Sequence, residues 1–190
     1  MFKMLSESLL SFVFPVSCEL CGELLPVRNS GGVCGTCQKT ISLIPAPHCP
    51  KCGRFSSEFM KDCAVCRADR FHFDRVYAAV TYDGRAKELL RALKFGRRTL
   101  LVKPLLGILE KFIRENNLAG AWDGILAVPM HRTQHFERGF NQAELIARGV
   151  SKIFSRPLLR GALVSKRSRQ TQSKLGKIQR KENVKGRFWS

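Results

Sequence analysis

Acidic side chains are scarce in this sequence: fifteen Asp and Glu stand against thirty-three Lys and Arg, a formal charge of +18. No stretch is apolar for long enough to span a bilayer, since the run from Leu9 to Val16 is far short of the roughly 20 residues a spanning helix needs. Nor is any cysteine left without a neighbour at regular spacing, and none occurs after Cys66. These shortages exclude a helical membrane bundle. The composition, 44% hydrophobic and 25% charged, is that of a globular protein and excludes a disordered one. The missing negative charge is concentrated late in the chain, where residues 131–190 hold fifteen basic and three acidic side chains. A field of that sign selects polyanions such as phosphates, nucleotides or nucleic acid. The N-terminal residues 1–17 place Leu5, Leu9, Phe12 and Val13 at helical spacing and are expected to form an amphipathic helix. An export signal ending near Cys18 is disfavoured by the thin charged leader, so a cytoplasmic location is expected.

What the chain has instead is eight cysteines in four Cys-x-x-Cys pairs: Cys18 and Cys21, Cys34 and Cys37, Cys49 and Cys52, Cys63 and Cys66. The pairs are separated by twelve, eleven and ten residues, the spacing at which two knuckles close around one tetrahedral ion. Gly22 and Gly53 follow the first and third pairs, where a positive φ closes a tight turn. The other two pairs have no such glycine. This alternation reads as a duplicated unit, with the first pair joined to the second and the third to the fourth, interleaved pairing staying open. Two structural Zn2+ ions, each with four thiolates and no open position, are the expected cofactors. Disulfides would require an oxidising compartment, and iron–sulfur ligation uses the same thiolates and stays open on sequence alone. Residues 18–70 carry few large apolar side chains, so the metal must supply much of their folding free energy.

From residue 71 onward the texture becomes that of an α/β domain. Residues 73–82 (FDRVYAAVTY) are rich in β-branched and aromatic residues and predict a strand. Leu89, Leu90 and Leu93 then give residues 85–94 a helical face, and a second helix is expected over 100–114, with Pro104 near its first turn. Residues 122–129 (WDGILAVP) predict a buried strand, beyond whose carboxyl end an open α/β sheet places its ligand. A loop carrying His131, Arg132, His135 and Arg138 follows. Then Gly139 leads to a helix opened by Asn141 and Gln142, with Leu145, Ile146 and Val150 on its apolar face. Basic side chains, a glycine and free helix N–H groups together suit a phosphate or pyrophosphate. The rival reading is of ordinary solvated loop residues.

The blocks Tyr82 to Gly84, Leu93 to Gly96, Val128 to His131 and above all Arg138 to Ala143 (RGFNQA), behind a zinc ribbon, resemble the ComF family of phosphoribosyltransferase-like proteins. The resemblance runs through the whole chain. It implies a type I phosphoribosyltransferase-like fold over residues 71–190, with the loop after residue 128 binding pyrophosphate through His131, Arg132, Arg138, Gly139, Asn141 and Gln142. It also implies a basic loop from Lys166 to Asn183 that closes over phosphoribosyl pyrophosphate (PRPP), Lys166, Arg167, Arg169, Gln172, Arg180 and Asn183 being its candidates for the reaction, with Mg2+ accompanying PRPP in a fuller relative. A role in DNA uptake during natural competence, or in gluconate use, is implied as well. The sequence departs from the family at one place. The acidic, Thr-rich loop that grips PRPP is missing, no Asp occurs after Asp123, and the residues after Gly186 read as foreign. The expectation is therefore a fold incomplete at its C-terminus and a chain inactive alone. The alternative is a single-stranded DNA binding or assembly factor working through the ribbons and the basic residues 160–187, and the plainest rival makes that segment a solvated surface.

Overall fold

The computed structural model describes residues 15–26, 31–56, 58, 63–68, 71–118, 120, 122–166 and 176–189. The chain divides into two compact units, Met1–Leu90 and Arg91–Ser190. Residues 1–14 lie outside the described residues. Val16 and Ser17, expected to end the amphipathic helix, are instead strand β1 (Val16–Ser17), paired antiparallel with β2 (Leu24–Leu25). The reason is the Cys18 to Gly22 turn between them, which reverses the chain and brings its two flanks into register.

The first unit continues with two one-turn helices, α1 (Gly35–Lys39) and α2 (Ala64–Ala68), each starting at a cysteine. Their apolar support is small: Leu25, Val33 and Ile41 are the buried aliphatic side chains among the described residues before 70. Residues 73–82, predicted as a strand, run extended with one antiparallel bridge, Leu43 to Val80. Val76, Tyr77 and Tyr82 are 40%, 39% and 57% exposed, because a segment held at a few points has no sheet face to bury them against.

Helix α3 (Gly84–Phe95) fulfils the expectation for residues 85–94, burying Leu89 and Leu93 completely. In the second unit a 3₁₀ turn (Thr99–Leu101) runs directly into α4 (Val102–Glu115), with Pro104 in the first turn as expected. There its absent N–H would have had no helical acceptor. Helix α4 packs against a later helix, α6 (Gln142–Phe154), where Gly149 admits the Leu106 side chain so closely that a Cβ would lie 2.2 Å from it.

Two sequence expectations fail here. Residues 122–129 do not form a buried strand: the segment is extended, makes a single parallel bridge from Ile125 to Leu158, and leaves Leu126 and Val128 41% and 60% exposed. The apolar run lacks flanking strands among the described residues, so its backbone pairs at one point only. The predicted loop at 131–138 is a helix, α5 (Arg132–Arg138). The His131 ring accepts from Thr133 N at 3.2 Å as its N-cap, and Gly139, at φ 83°, closes it. Strand β3 (Val164–Ser165), helix α7 (Lys177–Val184) and strand β4 (Phe188–Trp189) complete the unit, β3 and β4 pairing antiparallel.

Candidate metal centres and the second unit

Each cysteine quartet is assembled from two different local structures. The first half is a turn: Cys18 N donates to Glu23 O and Gly22 N to Cys18 O, both at 2.8 Å, and Gly22 sits at φ 77°. Thirty-one residues on, Cys49 N donates to Arg54 O at 2.8 Å and Gly53 N to Cys49 O at 2.9 Å, with Gly53 at φ 68°. The second half is a helix start. Cys34 caps α1, its sulfur accepting from Cys37 N at 3.3 Å, and Arg67 N of α2 donates to Cys63 O at 3.0 Å. The absence of a glycine directly after the second and fourth pairs is thereby explained, because a helix N-terminus turns the chain without a positive φ.

Cys18, Cys21, Cys34 and Cys37 form one cluster, and Cys49, Cys52, Cys63 and Cys66 the other, with all sulfurs of a cluster within 4.8 Å of one another. The pairing of neighbouring Cys-x-x-Cys units is as the duplication predicted. Sulfurs of Cys21 and Cys34 are 3.7 Å apart, those of Cys52 and Cys63 3.7 Å, and those of Cys49 and Cys66 3.9 Å. Four thiolates about 2.3 Å from one tetrahedral zinc have edges of about 3.8 Å. The donor sets therefore fit two Zn2+ ions. A multi-iron cluster would spread its thiolates over several irons and hold them farther apart. Among the described residues no group of three or more ligand-type side chains other than these two is close enough to hold a metal, so no carboxylate cluster for Mg2+ is found there.

Within each quartet the thiols are electrostatically unequal. Burial raises the Cys18 thiol, but donation from the backbone of Cys34, Leu20 and Cys21 outweighs it and brings the pKa down to about 6. Cys49, with Cys52 N foremost among its donors, also falls to about 6. Burial and the neighbouring sulfurs push Cys37 and Cys66 up to about 12. Thiols held up in this way must give up their protons for an ion to bind. Zinc loading should release protons, seen as a calorimetric heat that varies with the buffer's ionisation enthalpy, and affinity should weaken as pH falls.

The two knuckle glycines differ in their surroundings. A Cβ on Gly22 would meet nothing within 4 Å, whereas one on Gly53 would lie 2.7 Å from the Val76 carbonyl oxygen. Both substitutions incur the left-handed penalty of about 1–2 kcal/mol, and only the second adds a backbone clash. Gly53→Ala is expected to lower the melting temperature of the loaded protein clearly more than Gly22→Ala. Near the first knuckle, Arg85 Nη1 donates to Leu20 O and pairs with Glu88 at 2.8 Å. Glu88 first, then Cys37 and Cys21, hold its guanidinium above its ordinary pKa.

In the second unit the predicted anion ligands are partly engaged with each other. Arg138 donates to Gln142 Oε1 at 2.7 Å and lies 5.5 Å over the Phe95 ring. Asn141 is buried as the N-cap of α6: its Oδ1 accepts from Ala143 N at 3.0 Å, and its Nδ2 donates to Val128 O at 3.1 Å. His131 and Gly139 begin and end α5, and Arg132 and His135 are exposed on it. A cleft of roughly 150 Å³ is lined by Leu126, Pro129, Asn141, Glu144, Leu158 and Arg160, so Asn141 is the one predicted anion ligand on its wall. That is below the roughly 300 Å³ of a small-molecule pocket but sufficient for a phosphate-sized group. Glu144, unnoticed in the sequence, stays ionised there because Arg148 pairs with it at 2.7 Å and lowers its pKa.

Of the late candidate residues, Arg167, Arg169 and Gln172 lie outside the described residues. Lys166 N donates to Arg187 O at 2.8 Å and its ammonium lies 5.2 Å over the Trp189 ring, while Arg180 and Asn183 are carried on α7. The segment expected to be a loop from 166 to 183 thus includes a helix, and its ends are clasped by β3 and β4.

The duplicated cysteine architecture defines a double-zinc-ribbon protein, and residues 9–70 match the family model of a double zinc ribbon domain. The chain is similar to competence protein F of Haemophilus influenzae, 25% identical with 92% of this chain and 76% of that protein covered. It is also 27% identical to the DNA utilization protein YhgH of Escherichia coli K12, over 92% and 77% of the two chains. Competence protein ComFC of Bacillus subtilis is 26% identical over 67% of this chain and 55% of its own length. Together with the double zinc ribbon, these similarities support assignment to the ComF family. No solved structure matches it significantly. Among the described residues no helix is long and apolar enough to cross a membrane.

Proposed function

We propose that this protein takes part in the uptake or use of external DNA, as a zinc-ribbon protein whose second unit derives from a type I phosphoribosyltransferase and handles anionic ligands. The observation that carries this reading is the similarity across 92% of the chain to proteins named for competence and for DNA utilization. The structure supports an α/β origin for the second unit. Ile125 N donates to Pro157 O and Leu159 N to Ile125 O, each at 2.8 Å, so two extended segments, one before α5 and one after α6, run parallel at a single bridge. The cleft is lined by Leu126 and Pro129 of the first segment, Leu158 and Arg160 of the second, and Asn141 and Glu144 at the start of α6. Lys166 and Arg187, brought together where β3 pairs with β4, add positive charge suited to a phosphate-bearing partner. These 190 residues contain no acidic, Thr-rich loop to hold the ribose of PRPP, so phosphoribosyl transfer by them alone is not part of the proposal.

Single-stranded DNA is the ligand to test first. Binding to a fluorescent oligothymidylate should fall steeply with salt, log K declining by about 0.7 per phosphate contacted for each unit of log salt concentration. Salt-independent or absent binding at low ionic strength would overturn the DNA reading. Pyrophosphate titration of Arg138→Ala tests the other ligand: loss of pyrophosphate binding with DNA binding retained would place the two on separate sites.

A further inference from the structure

The two ribbons are copies in backbone but opposites in charge. Their knuckles read Cys18-Glu-Leu-Cys-Gly-Glu23 and Cys49-Pro-Lys-Cys-Gly-Arg54. A zinc ion with four thiolates carries a net charge of about −2. The second knuckle places Lys51 and Arg54 within its own turn, which offsets that charge. The first places Glu19 and Glu23 there, which adds to it, and the Cys21 sulfur lies 4.0 Å from Glu23 Oε2. The equivalent carbonyl of each knuckle is also satisfied differently. Lys51 O accepts from a backbone group, Val76 N, at 2.7 Å, whereas Leu20 O accepts from a side chain, Arg85 Nη1, sixty-five residues away on the first turn of α3.

We propose that Arg85 is the counter-cation and positioning residue of the first metal centre, supplying from helix α3 the positive charge that Lys51 and Arg54 supply to the second. Its guanidinium fixes the turn that presents Cys18 and Cys21 and lowers the electrostatic cost of gathering four thiolates beside two carboxylates. The two centres therefore differ in the origin of their positive charge: the second has Lys51 and Arg54 within its own knuckle, and the first draws on Arg85 of α3. Partners that orient a metal's ligands in this way are worth about 10- to 100-fold in metal affinity. This inference concerns the metal centres and stands whether or not the protein binds DNA.

The test uses the full chain loaded with ¹¹³Cd2+, whose two tetrathiolate resonances report each centre separately and are assigned by Cys52→Ser, which moves the second. On addition of a chelator, Arg85→Gln should lose metal from the first centre about 10- to 100-fold faster and leave the second unchanged. Arg85→Lys, which keeps the charge, should stay within a few-fold of the parent protein. Glu23→Gln added to Arg85→Gln should slow the loss again, which removal of a purely structural hydrogen bond would not allow. Equal acceleration at both centres, no change at the first, or a lysine variant as labile as the glutamine one would overturn the proposal. Should Arg85→Gln fail to fold, Glu23→Gln alone decides: the proposal requires slower loss from the first centre, and unchanged or faster loss sinks it.

Discussion

Stripping both metals with a chelator under reducing conditions is expected to unfold the described ribbon residues 15–56 and 63–68 while α4 and α6 stay helical. Three buried aliphatic side chains, Leu25, Val33 and Ile41, support the ribbon, and at about 1.5–3 kcal/mol each they contribute no more than about 9 kcal/mol. A single structural zinc supplies an apparent 10–16 kcal/mol to a finger-sized peptide. The metal is therefore the larger part of what holds the ribbon, and the strands β1 and β2, of two residues each, add little. Helices α4 and α6 rest on different ground, since Leu101, Leu105, Phe112 and Ala147 are buried without any cysteine near them in sequence. Hydrogen exchange checks both halves of the expectation. Amides of Gly22, Gln38, Gly53 and Arg67, all hydrogen-bonded around the cysteines, should lose protection, while those within α4 and α6 keep theirs. Cys49→Ser, at a completely buried ligand, should reproduce the loss in the second ribbon. Retained protection at Gly22 and Gly53 after metal removal would show that the cysteines are not what folds this region.

How far the sequence could be read depended on how local each feature is. Ligands of a quartet lie within about twenty residues of one another, so spacing carried the two centres, and the alternating knuckle glycines pointed to their pairing while leaving an interleaved one open. Helices α3, α4 and α6 were legible for the same reason, since their apolar faces repeat within a few turns. Helix α5 was not, because RTQHFER has Phe136 as its one large apolar residue, and that side chain is 90% exposed. Its signals were the ends: a capping His131 and a left-handed Gly139. Residues 73–82 and 122–129 have strand composition, but a strand is completed by partners, and propensity says nothing of whether they are present. Arg85 was invisible for the most physical of reasons, its acceptor being sixty-five residues away.

Asn141→Ala should destabilise the second unit by roughly 1.5–3 kcal/mol, a large effect for a residue that the sequence offered as an anion ligand. Two costs combine. Loss of a helix N-cap is worth about 0.5–2 kcal/mol, and here the cap accepts from Ala143 N. Loss of the Nδ2 donor leaves the Val128 carbonyl short of a partner, at about 1–3 kcal/mol where water does not replace it. The second cost is discounted toward its lower end, because Val128 itself is 60% exposed. Asn141→Ser separates them: serine caps a helix nearly as well as asparagine but cannot reach the Val128 carbonyl, so it should recover the cap and leave the smaller deficit. Urea unfolding gives the ordering, with the parent most stable, serine intermediate and alanine least. The same bond explains why this residue type stands at this position. One amide joins the start of α6 to the end of the extended 122–129 segment, and that is the place where the cleft opens. An alanine variant no less stable than serine would show that the cap contributes nothing, and that the tie to Val128 alone positions the helix.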